Sequence, residues 1–119
     1  MNLQSFKNLL SSSSNKLDLF TNFNIIDNID FSTNELIELI KSNLSSVDIL
    51  ELFKYTYYQD LPENLKNNLI SSIELPSGYF LANIVPNPKY IKEFASNQTF
   101  VKKNISLDEM IIFCKLLHP

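Results

Sequence analysis

The stretch Ser32-Thr33-Asn34-Glu35-Leu36-Ile37-Glu38-Leu39-Ile40-Lys41-Ser42-Asn43-Leu44-Ser45-Ser46-Val47-Asp48 decides the fold class. Its first four residues have capping-box form: the Ser32 hydroxyl can accept from the Glu35 amide, and the glutamate can bond back. Leu36, Ile37, Leu39, Ile40 and Leu44 then form a wide apolar stripe at helical spacing. Ser45-Ser46-Val47-Asp48 opens a second helix, expected to run through about Tyr57 with Val47, Ile49, Leu50, Phe53 and Tyr57 on its core side. Asp60-Leu61-Pro62-Glu63 opens a third, where proline is tolerated because a first-turn amide has no intrahelical partner. Leu61, Leu65, Leu69 and Ile73 recur at every fourth position, one stripe on one face.

The three starts, Ser32, Ser45 and Asp60, lie 13 and 15 residues apart. Only tight turns fit between them, so successive helices are expected as antiparallel neighbours. The caps recur, but the helix sequences do not repeat.

Upstream, Leu3, Phe6, Leu9 and Leu10 predict a short amphipathic helix that the serine run Ser11–Ser14 ends. Residues 17–31 predict one short helix followed by irregular chain, because Asn and Asp side chains there compete for backbone groups. Downstream, Pro76-Ser77-Gly78 is a turn, and Tyr79–Val85 is aromatic and β-branched enough for a strand. Thr99–Lys103 is its obvious partner. Lys89–Ser96 predicts a short helix with Tyr90, Ile91 and Phe94 inward. Ser106-Leu107-Asp108-Glu109 is a second capping box, opening a helix through Leu117 whose Ile111, Ile112, Cys114 and Leu116 predict burial.

The expected fold is therefore mostly α, a compact bundle of five or six short helices. All 119 residues form one domain, with residues 1–14 as a loosely attached N-terminal helix. The alternative is α+β, with a two-stranded hairpin from residues 79–85 and 99–103.

Composition narrows function by exclusion. All ten basic residues are lysines; against 13 acids they leave a net charge of −3. Nucleic-acid readers use basic patches and arginine, so no nucleic-acid partner is expected. No apolar stretch is long enough for a membrane helix, and no signal peptide is visible, so the expected compartment is the cytoplasm. The sequons at Asn43, Asn97 and Asn104 then carry no weight. A lone glycine cannot build a phosphate loop.

One histidine and one cysteine cannot make a zinc site by themselves. Cys114 and His118 share a helix face, but among isoleucines and leucines the thiol is expected to act as a small hydrophobe. The carboxylate pairs Asp27/Asp30, Glu35/Glu38, Asp48/Glu51 and Asp108/Glu109 mostly flank helix starts, where they stabilise the helix dipole. Ile29 occupies the position at which an EF-hand loop needs an oxygen ligand. Neither an enzyme nor a cofactor is expected.

What remains points to binding. Residues 18–63 hold nine acids and two lysines, a balance of −7, whereas residues 64–119 hold four acids and six lysines. Such asymmetry attracts a basic partner. On one continuous helix Asp48, Glu51, Tyr55 and Tyr58 would fall along one line, and Glu35 and Glu38 extend the acidic surface. Tyrosine buries much area at small entropy cost, and carboxylates beside it select lysine or arginine. These six residues are the candidate partner-binding site. The expected function is a small acidic cytosolic protein-binding module. Its concrete form, by analogy of architecture and charge, is an immunity- or antitoxin-type inhibitor that masks the active site of a basic toxin or nuclease. The alternative is an assembly subunit, a homo-oligomer joined through Leu3, Phe6, Leu9 and Leu10.

Overall fold

Serine and asparagine side chains set six of the helix starts described. In the computed structural model, which describes residues 1–83 and 88–117, the Ser32 hydroxyl accepts from the Glu35 amide at 3.2 Å. Ser45 does the same for Asp48 at 3.2 Å, and Ser106 for Glu109 at 3.2 Å. Asparagine caps three further starts: Asn2 accepts from Ser5 at 2.8 Å, Asn22 from Asn24 at 3.2 Å and Asn97 from Phe100 at 2.9 Å. Each such cap satisfies an amide that a helix start leaves orphaned, worth about 1 kcal/mol.

Eleven helices and no strand are present among the described residues, so the chain is mostly α. Two compact units divide it, Met1–Asp60 and Leu61–Pro119. The helix count exceeds the expected five or six because stretches read as irregular chain, as one longer helix or as strand form short helices of their own.

The first unit carries α1 (Leu3–Ser12), α2 (Lys16–Thr21), α3 (Phe23–Ile26), α4 (Thr33–Asn43), α5 (Ser46–Leu52) and α6 (Thr56–Gln59). Asn22 ends α2 and starts α3, its side chain accepting from the Asn24 amide at 3.2 Å. Part of the segment read as irregular, Phe23–Ile26, is thus a second short helix, set by the same side-chain competition that argued against one long helix, while residues 27–31 are irregular as expected. Leu36, Ile37 and Ile40 of α4 are buried, with Leu44 behind them. Phe6 of α1 is fully buried, its ring 5.4 Å from Phe20 and 5.5 Å from Phe31. Leu10 is buried as well, and Leu3 and Leu9 are half-buried. The four residues expected to form a free apolar patch are therefore spent largely on the core.

The expected helix through Tyr57 breaks at Phe53. The amides of Phe53, Lys54 and Tyr55 bond carbonyls three residues back, at 3.2, 3.1 and 3.0 Å, and the Gln59 side chain donates to the Phe53 carbonyl at 3.1 Å. The cause is packing. Phe53 and Tyr58 are both buried, yet five positions on a continuous helix lie about 140° apart. Aromatic residues are also weak helix formers, so breaking the helix here costs little.

The second unit carries α7 (Glu63–Ser72), α8 (Tyr79–Asn83), α9 (Pro88–Ala95), α10 (Gln98–Asn104) and α11 (Leu107–Leu117). The stripe Leu61, Leu65, Leu69 and Ile73 is buried along its whole length. The hairpin of the alternative α+β reading is absent among the described residues, where helices stand at Tyr79–Asn83 and Gln98–Asn104; Ile84 and Val85 lie outside the described residues. Three phenylalanines hold these helices: Phe80 is 5.2 Å from Phe94 and 5.0 Å from Phe100, and Phe94 is 4.9 Å from Phe100. Single inward rings at this spacing suit short helices, where a half-buried strand would alternate every second residue. Ile91 and Phe94 are buried as expected; the Tyr90 side chain lies outside the description. Gly78, with φ of 76°, makes the turn into α8.

Among the described residues of this unit, two polar residues are buried. Asn104 donates to the carbonyls of Ile73 and Phe100, both at 3.0 Å, and accepts from the Leu75 amide at 2.7 Å. Lys66 is 4% exposed and holds Glu93 at 2.6 Å and Glu63 at 2.9 Å. Helix α11 packs on α9 but is not buried as expected: Leu107 is 88% exposed, and Ile111, Ile112 and Cys114 are exposed too. Apolar content predicts burial only where a neighbouring element covers that face. No helix among the described residues is long and apolar enough to cross a membrane.

Candidate functional site

The helix break redistributes the expected tyrosine face. Tyr55 sits in extended conformation before α6 and is 41% exposed. Tyr58 is fully buried, not outward, and its hydroxyl donates to the Phe20 carbonyl. Burial, and secondarily the neighbouring Tyr57, pushes the Tyr58 phenol far above the ordinary tyrosine range. Tyr57, expected on the core side, is half-buried; burial and then the Asp27 charge raise its pKa.

Phe23 joins these rings. Its centroid lies 5.6 Å from Tyr55, 5.8 Å from Tyr57 and 6.3 Å from Tyr58, and Tyr57 meets Tyr58 edge-on at 5.0 Å. Offset and tilted rings at such distances attract beyond their buried area. The result is an aromatic shelf with Tyr58 as its root, Phe23 as its floor and Tyr55 as its exposed rim. Phe23 and Asp27 enter through α3, a helix that sequence reasoning did not resolve; the Asn22-Phe23 start was its only local signal.

The carboxylates fall in two places. Asp48 and Glu51 stand three apart on α5, both half-buried, and Glu51 pairs with Lys54 at 2.8 Å. Glu35 and Glu38 are exposed on α4 and line a groove of about 380 Å³ with Leu3, Lys7, Asn34, Leu39 and Ser42. Glu38 also stands 3.8 Å from Lys41. None of the other four candidate residues lines that groove. The structure thus unites Tyr55 with Phe23 and Tyr57, keeps Asp48 and Glu51 on α5, sets Glu35 and Glu38 on a separate groove, and withdraws Tyr58 into the core.

Chemically this surface can stack and attract cations. No three His, Cys, Asp or Glu side chains among the described residues could jointly hold a metal ion. His118, the other half of the Cys114 pair, lies outside the described residues. The chain matches no protein-family model, no curated protein and no solved structure.

Proposed function

We propose that this chain is a protein-binding module, acting in the cytoplasm, whose recognition surface is the aromatic shelf and acidic helices of Met1–Asp60. The observation that carries this reading is Tyr55: a large ring, 41% exposed and held at 5.6 Å from Phe23 by the turn that precedes α6. An aromatic side chain ordered before binding loses little entropy on contact, the usual condition of an interface hot spot. Charge sets the partner's chemistry. Residues 1–60 hold eight acids and four lysines, so a basic protein is favoured on approach. In its specific form the module is an immunity- or antitoxin-type inhibitor, occupying the active cleft of a basic toxin such as a nuclease.

The test is affinity capture from native lysate at low and then high salt, with wild type beside Tyr55→Ala and Glu51→Lys. One stoichiometric basic partner, released by salt and lost in both variants, supports the surface. Capture unchanged in a folded double variant overturns it. Suppression of the captured partner's own activity would distinguish an inhibitor from a scaffold.

A further inference from the structure

Only five large apolar side chains are exposed among the described residues, and three of them, Leu107, Ile111 and Ile112, belong to α11. Scattered exposure needs no explanation, but concentration on one helix does. Leu107 is 88% exposed, Ile111 62% and Ile112 54%. Asp108 and Lys115 are exposed too, and helical spacing puts both between Ile111 and Ile112 on the outward arc. That face is apolar at its flanks and carries one charge of each sign along its middle.

We propose that α11 pairs antiparallel with α11 of a second copy of this chain, Asp108 of each copy facing Lys115 of the other. A two-fold axis between Ile111 and Ile112 produces this register: it opposes residues 108 and 115 twice and sets Ile111 beside Ile111, and Ile112 beside Ile112, of the other copy. A two-fold interface must be self-complementary, and a helix with an acid in its first turn and a lysine in its last meets that condition only when reversed. Reversal also opposes the helix dipoles. A uniformly basic partner would match Asp108 and repel Lys115. Eleven residues span about 16 Å, so the pair is small and its formation depends on concentration. Cys114 sits away from the axis, level with Glu109 of the other copy, so the native pair forms without a disulfide.

Sedimentation equilibrium of the full chain across micromolar to millimolar concentration tests the pairing. The wild type should move from one chain mass towards twice that value under reducing conditions. Asp108→Lys should stay at one mass, and Asp108→Lys with Lys115→Asp should regain the wild-type shift. A wild type that stays at one mass overturns the proposal, as does a double exchange no better than the single one. Because exchanging both charges also opposes the helix dipole, a cross-link provides an independent arm. Ile111→Cys on a Cys114→Ser background should form a reducible dimer, since the two positions flank the axis, whereas Lys102→Cys on that background should not. Equal cross-linking by both would mean random collision and would overturn the register.

Discussion

The hydroxyl of Tyr58 donates to the backbone carbonyl of Phe20 across 38 positions of sequence, and the bond is buried. It ties the short helix α6 to the end of α2 and roots the aromatic shelf on which Tyr55 is displayed. Replacing Tyr58 by Phe keeps the ring and strands that carbonyl. Urea unfolding should show a loss of about 1–3 kcal/mol, the cost of a buried acceptor without its donor. An unchanged midpoint would mean that water replaces the bond.

The same phenol makes stability fall in alkali. Burial raises the Tyr58 pKa, so the folded chain holds this proton at pH values where the unfolded chain has released it. Lys66 behaves alike: burial favours its neutral form, but hydrogen bonds and charge from Glu93 and then Glu63 outweigh that and raise its pKa. A raised pKa contributes fully below the unfolded value and is lost as pH climbs past it. The unfolded values are 10.0 for tyrosine and 10.5 for lysine, so the decline belongs above pH 10.0. Denaturation midpoints measured on both sides of that pH should bend downward there, and Tyr58→Phe should bend less.

Lys66 and Glu93 form a pair in which one member is 5% and the other 17% exposed at the side chain. Lys66→Met should cost roughly 3–5 kcal/mol, the range for a buried pair broken on one side, because it strands a carboxylate whose Oε2 is already buried without a hydrogen-bond partner. Lys66→Met with Glu93→Gln should recover much of that loss. A double-mutant cycle on thermal unfolding reads the coupling, and additive losses would show that the pair contributes packing alone.

Asn104 satisfies three backbone groups at once, two carbonyls and one amide. Asn104→Ala should cost about 2–4 kcal/mol through stranded polar groups and a small void. Asn104→Asp keeps the shape but cannot donate when ionised, so near neutral pH it should be at least as damaging. Hydrogen exchange at the Leu75 amide checks the mechanism directly: protection should disappear in the alanine variant.

Caps and long stripes were legible in the sequence; tertiary exceptions were not. Ser32, Ser45 and Ser106 announce helix starts by chemistry local to four residues, and Leu61, Leu65, Leu69 and Ile73 announce one face by spacing alone. The break at Phe53 was hidden because it answers to burial of Phe53 and Tyr58 together, which no local pattern encodes. Tyr79–Asn83 and Gln98–Asn104 carried strand-like composition, and the cluster of Phe80, Phe94 and Phe100 overrides it. The cap at Asn97 was the available signal against a strand. At the candidate site, Tyr55 is exposed as the spacing implied, Tyr58 was assigned to the wrong side by assuming an unbroken helix, and Phe23 escaped because α3 is a single turn.

The bond between Tyr58 and Phe20 also bears on how the chain is made. A nascent chain that has delivered Phe53 already contains α1 through α5, yet it lacks the ring that closes on α2 and stacks on Phe23. Until Tyr58 clears the ribosome, the Phe20 carbonyl has no phenol to bond and the place of that ring stays open. The first unit therefore closes only as its last few residues emerge, leaving a vulnerable interval during synthesis in which chaperones and proteases meet its core unsealed.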